Sequence, residues 1–281
     1  WPSSEMILAM ENVATNSVKG TAGIHMQNRA ISILGAFLRN LVEHSRGTAP
    51  LEEDEDYESW SVSPPDQVPA EVLKLTKWLA SELIHAVEVR KCKPPQHEKD
   101  GLPIGPILMA IHNSRNALFA PLLVGMLSEE AQKQHAITKD VRLLTIRALG
   151  DLQDVTTKID DTHNSAALDR ILLDVLENKS GNEPYFSRIL ALEGLGARRN
   201  LHPEVLERIS ELALSNKNTD LVDVFAEVLD KQVGFRSKGA NAALAAFRVM
   251  TEAKLQKMVG EGKYVPASVI MQYVDARRLT D

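Results

Sequence analysis

The chain carries eight histidines and one cysteine, the side chains best suited to bind metals or act as nucleophiles near neutral pH. His25, His44, His85, His97, His112, His135, His163 and His202 are dispersed. None lies three or four residues from another, so no pair shares a helix face through local spacing. His97-Glu98 is the one His-Glu pair, and prolines flank it. Cys92 sits in Arg90-Lys91-Cys92-Lys93, where positive neighbours favour the thiolate, but no local motif supports a catalytic role. A surface or half-buried thiol near a helix end is expected. One cysteine allows no intrachain disulfide and no cysteine-based metal centre. Phosphate-binding glycine loops, Gly-x-Ser-x-Gly elbows and His-Glu-x-x-His helices are all missing. No catalytic site is expected, and no cofactor.

Composition sets the frame that has to position any functional residue. The 281 residues are 44% hydrophobic and 25% charged, enough for one large domain or two smaller ones. Sparse glycine and proline with recurrent alanine, leucine and glutamate lean helical. The net charge of −6 is uneven. Residues 1–100 hold 15 acids and 10 bases, whereas residues 101–281 hold 23 and 22. The acidic excess lies in Glu52-Glu53-Asp54-Glu55-Asp56-Tyr57-Glu58. A broad positive footprint for nucleic acid is absent. The longest apolar stretch, Ala117–Leu127, is too short to span a bilayer and is interrupted by Pro121. A chain beginning at Trp1 is expected to be processed or part of a longer protein, which leaves cytoplasmic and exported locations both open.

Helical periodicity runs through most of the chain. Residues 4–19 and 26–44 read as two helices, the second with Ile31, Leu34, Leu38, Leu41 and Val42 on one face. Thr48–Pro69 has no periodicity and reads as an acidic, proline-rich loop or linker, with Tyr57 and Trp60 as anchors if it docks on a basic partner. Ala70–Val89 is expected to be helical, with Val72, Leu75, Leu79, Leu83 and Val87 facing inward. A second loop runs from Lys91 to Pro106, and Pro106 is placed in the first turn of the following helix. Ile107–Glu130 is apolar enough to be buried, kinked or divided at Pro121. Ala240–Val259 and Pro266–Leu279 read as the last helices, separated by Gly260-Glu261-Gly262.

The strongest organisational signal is an internal similarity. Asp140–Gly150 aligns with Phe186–Gly196 at an offset of 46. Arg142 matches Arg188, Leu144 matches Leu190, and Leu149-Gly150 matches Leu195-Gly196. A weaker third copy is Leu221–Leu229. Helical segments precede each copy at Ala117–Glu130, Ala166–Glu177 and Glu204–Leu214, a helix–loop–helix recurrence suited to a stacked α-solenoid. Asp140-Val141-Arg142 with Ala148-Leu149-Gly150-Asp151-Leu152, and again Arg188 with Gly194-Leu195-Gly196, resembles the second helix of a HEAT repeat.

That resemblance implies an all-α, right-handed α-α superhelix with an atypical N-terminal part. The expected layout is N-terminal helices over 1–47, the acidic loop over 48–69, and a repeat region over 70–281 that is clearest at 117–230. Second helices then line a concave face, exposing Arg147, Glu193 and Glu227 with Asp151 and Arg198 nearby, while Arg142 and Arg188 make structural contacts between neighbouring repeats. The function this implies is a non-catalytic scaffold or accessory subunit for a protein or peptide. Two alternatives stand beside it. A HEAT-like DNA-binding protein or DNA glycosylase would use Arg142, Arg147, Arg188, Arg198 and Arg199 with the aromatic pair Tyr185 and Phe186. A secreted or periplasmic accessory protein would dock on a larger assembly through the acidic loop. Helical-repeat iron hydroxylases need His-Glu pairs on several repeats, and one pair does not meet that requirement.

Overall fold

Local signals in the chain explain where its helices begin and end. The computed structural model describes residues 3–16, 21–45, 69–92, 103–132, 137–152, 165–179, 181, 183–198, 201–215, 219–265, 267, 269, 270 and 274. Among them every regular element is helical and no strand occurs. The helices are α1 (Ser4–Thr15), α2 (Thr21–Ser45), α3 (Ala70–Cys92), α4 (Ile104–Ser114), α5 (Ala120–Leu127), α6 (Glu129–Gln132), α7 (Lys139–Gly150), α8 (Ser165–Glu177), α9 (Tyr185–Gly196), α10 (Pro203–Ser215), α11 (Thr219–Gly234) and α12 (Ala240–Gly260). None of the described helices is long and apolar enough to cross a membrane. The chain divides into two compact units, Trp1–Ser165 and Ala166–Asp281. That division falls inside the 117–230 stretch of clearest internal similarity.

In the first unit, α2 packs against α1, α3 and α4, and α7 packs against α4 and α5. The periodic face of α2 is inside: Ile31, Leu34, Leu38, Leu41 and Val42 are all buried. So are Val72, Leu75, Leu79 and Leu83 of α3, whereas Val87 is half-buried. α2 and α4 approach so closely at Gly35 that a Cβ there would stand 2.5 Å from the Ala110 carbonyl oxygen. Only glycine fits that crossing.

The apolar run after residue 106 is divided, but not at Pro121. α4 starts at Ile104, with Pro103 as its capping residue, so Pro106 falls in the first turn. It ends at Arg115, which takes the left-handed conformation at φ 49°. Asn116 then accepts a hydrogen bond from the Leu118 amide and opens a single 3-10 turn, Ala117–Phe119. Pro121 lies in the first turn of α5, where its missing N–H has no helical partner to lose. The Asn116 amide also donates to Thr76 Oγ1 at 2.8 Å, tying the head of α5 to α3 through a buried polar link.

In the second unit, α11 packs against α9, α10 and α12, and α10 also meets α12. Its core is built on Leu168, Leu172, Leu192, Leu195, Leu206, Phe225, Leu229 and Phe247. The Phe225 and Phe247 rings meet edge-on at 5.4 Å, a favoured aromatic arrangement. α8 closes at Asn178, which is left-handed at φ 55° and whose side-chain oxygen accepts from the Glu183 amide at 2.8 Å. Gly260 ends α12 as the glycine pair foretells, with Gly262 at φ 62°. Residues 267, 269, 270 and 274 beyond it are helical.

Candidate functional surfaces

The three similar segments coincide with α7, α9 and α11, and they share one burial register. Thr145, Ala191 and Phe225 are buried, as are Ile146, Leu192 and Ala226, and Leu149, Leu195 and Leu229. The aligned charged positions, Arg147, Glu193 and Glu227, are exposed on all three helices. Inward and outward positions therefore recur together, as helical periodicity requires when the same face is covered each time.

Arg142 and Arg188 do the same job in their two helices. Arg142 Nη1 donates to the Leu127 carbonyl at the end of α5, at 3.3 Å. Arg188 Nε donates to the Leu176 carbonyl near the end of α8, at 2.9 Å. Each guanidinium answers a helix C-terminus, where carbonyls lack partners and the dipole favours positive charge. The expected structural role is present in a different form. The arginine joins the two helices of one pair, not neighbouring pairs.

Arg198, expected among the exposed contact residues, is instead buried at 6% exposure. Its Nε lies 3.2 Å from Asp169 Oδ1 on α8. The aligned residues explain this: Leu152 in the first copy and Gln232 in the third are both fully buried. The position points inward in all three helices. Gln232 extends the arrangement by donating to the Gly196 and Arg198 carbonyls, at 3.0 and 2.8 Å, while accepting from Ser237 Oγ at 2.6 Å. Burial, opposed by the charges of Arg198 and His202, pushes the Asp169 carboxyl up to about 6. Gly196 completes the α9–α11 crossing, since a Cβ there would stand 2.5 Å from a Val228 methyl.

Asp151 follows α7, half-buried, with Oδ2 2.6 Å from His112 Nδ1 at the end of α4. It contributes to packing between these helices as much as to the surface. Phe186 is two-thirds exposed, beside Tyr185 at 6.1 Å between ring centres. Tyr57, Trp60, Arg199 and His97-Glu98 lie outside the described residues, as does the Cys92 side chain. Among the described residues no group of three His, Cys, Asp or Glu side chains could hold a metal ion.

One concavity had no counterpart in the sequence reading. A groove of about 330 Å³ runs between α3 and α5. Leu83, Ile84 and Val87 form one wall, and Leu122, Gly125 and Met126 the other. Ile84 is 46% exposed there, and Glu88 and Glu130 also line the groove. The periodicity of α3 gave half a signal, because Leu83 and Val87 lie on its apolar face. The other half required knowing that α5 ends beside them.

No protein-family model, curated protein or solved structure matches the chain. Function has to be read from the geometry.

Proposed function

We propose that the chain is built of HEAT-like helix pairs and works as a non-catalytic scaffold, holding a protein or peptide on the surface its second helices present. The observation that supports this best is the common register of α7, α9 and α11. The same positions are buried in each, and the same position offers a charge to solvent at Arg147, Glu193 and Glu227. Matching arginine caps in two successive pairs, from Arg142 and Arg188, add to the repeat reading.

The DNA-binding alternative draws less support. Of its five arginines, Arg142 and Arg188 are tied to helix carbonyls and Arg198 is buried against Asp169. Phosphate contacts need cations that reach the surface.

The test is quantitative affinity capture from the native source with wild type and a variant carrying Arg147→Glu, Glu193→Lys and Glu227→Lys. All three sites are exposed, so the variant is expected to keep its Tm and lose about tenfold or more of its specific partners. An unchanged partner set with the fold intact would sink the second-helix surface as the binding face.

A further inference from the structure

We propose that the groove between α3 and α5 is a docking site for a short amphipathic helix of a partner protein, apolar on one face and bearing lysine or arginine beside it. This rests on the scaffold reading and names a site and a ligand chemistry for it. The cavity, about 330 Å³, lies at the lower end of the ~300–1,000 Å³ typical of binding pockets. That suits a few side chains from a larger partner. Helical walls of leucine, isoleucine, valine and methionine match the helix-in-groove mode, in which residues spaced three and four apart are the anchors.

Charge selects among apolar ligands. Glu88 on α3 and Glu130 on α6 stand on the groove. They repel fatty carboxylates, nucleotides and acidic peptides, and attract a cation placed next to the apolar anchors. The polar groups at the end of α5 make no demand on a ligand. The Leu127 carbonyl accepts from Arg142, the Gly125 carbonyl accepts from Ser128 Oγ, and Ser128 Oγ in turn accepts from the Ala131 amide. Among the described residues, what remains is apolar burial plus the two carboxylates.

Gly125 adds to the apolar character of the groove. It lies within α5, is exposed, and a Cβ built on it would meet nothing within 4 Å. Glycine inside a helix costs about 1 kcal/mol relative to alanine, and no described neighbour requires it here. Its bare backbone leaves the groove open for a partner's side chain. By contrast, Gly35 and Gly196 are glycines because a Cβ would collide with the protein itself.

Two fluorescein-labelled peptides test the proposal by anisotropy with the full chain. One is an amphipathic helix with leucines at three- and four-residue spacing and lysines on the other face; its twin carries glutamate for each lysine. Wild type is expected to bind the lysine peptide about tenfold or more tightly than the twin. At Gly125 a Cβ meets no described atom within 4 Å, so Gly125→Leu should place its side chain in the groove and keep Tm while weakening the lysine peptide by about tenfold. Glu88→Lys with Glu130→Lys should reverse the preference between the peptides. The proposal is overturned if wild type fails to bind the lysine peptide, if it binds both equally, or if Gly125→Leu binds like wild type. Loss of peptide binding in the Arg147, Glu193 and Glu227 variant but not in Gly125→Leu would overturn the groove and leave the scaffold reading standing.

Discussion

The two units solve the same packing problem with different chemistry at equivalent places. Where α7 ends, the inward position is Leu152, a fully buried apolar side chain. Where α9 and α11 end, it is Arg198 and Gln232, both buried and held by Asp169 and by main-chain carbonyls. The first unit uses a neutral buried pair, Asn116 to Thr76, while the second commits an ion pair. Repetition of a burial pattern thus does not fix the residue type beneath it. A position that must be inside accepts leucine, or a polar group whose partners are built around it. The buried ion pair makes the second unit's stability depend on pH in an unusual direction.

The largest effect is expected at that pair. Arg198→Leu leaves Asp169 buried without its counter-charge, which costs on the order of 3–5 kcal/mol when the carboxylate is ionised. The sign with pH follows from linkage. Asp169 is held near 6 in the folded chain against 3.8 when exposed, so the folded state binds the extra proton between those values. Its contribution is fully present below about 3.8 and is lost as pH rises through about 6, by roughly 3 kcal/mol at most. The Arg198→Leu penalty should therefore shrink at pH 4.5 relative to pH 8. Glu177 acts in the opposite sense. Burial pushes it up, but hydrogen bonds and charge from Arg208 and Lys179 outweigh that and hold it below 4.5. Its contribution is present above 4.5 and lost as pH falls further. Hydrogen exchange in α9 and α11 reads the second unit. Trp78 is on α3 in the first unit, so urea melts monitored by its fluorescence read that one. A single pH profile shared by both units would break the contrast.

A smaller effect sharpens it at the two glycine crossings. Gly35→Ala presses a methyl into the Ala110 backbone, which has nowhere to move, and should cost about 3 kcal/mol. Gly196→Ala meets a valine side chain and should cost nearer 1 kcal/mol. Urea denaturation of each variant gives the order, and a reversal would show that the backbone of α4 yields more easily than Val228.

The smallest effect compares the arginine caps. Arg188→Ala should lose about 1–2 kcal/mol and Arg142→Ala somewhat less, following their 2.9 and 3.3 Å hydrogen bonds. Local exchange at the ends of α8 and α5 measures both. Equal losses would mean that cap geometry does not separate the units.

Much of this was legible in residue order. Periodicity located α2, α3 and α12, because an amphipathic helix repeats its apolar positions whatever it later packs against. The internal similarity and the helical segments before each copy located α7 to α11, the last of them only over Leu221–Leu229 of Thr219–Gly234. The alignment of α7 with α9 likewise placed Arg147 and Glu193 outside. The same alignment sets Arg198 opposite Leu152, a position that is buried in both copies. Tertiary packing decided the rest. Which carbonyl an arginine caps, which acid neutralises Arg198, and where α3 and α5 leave a groove all depend on residues 12 to 40 or so apart in the chain meeting in space. A linear pattern records the face a residue occupies; it does not record what the opposite face will bring.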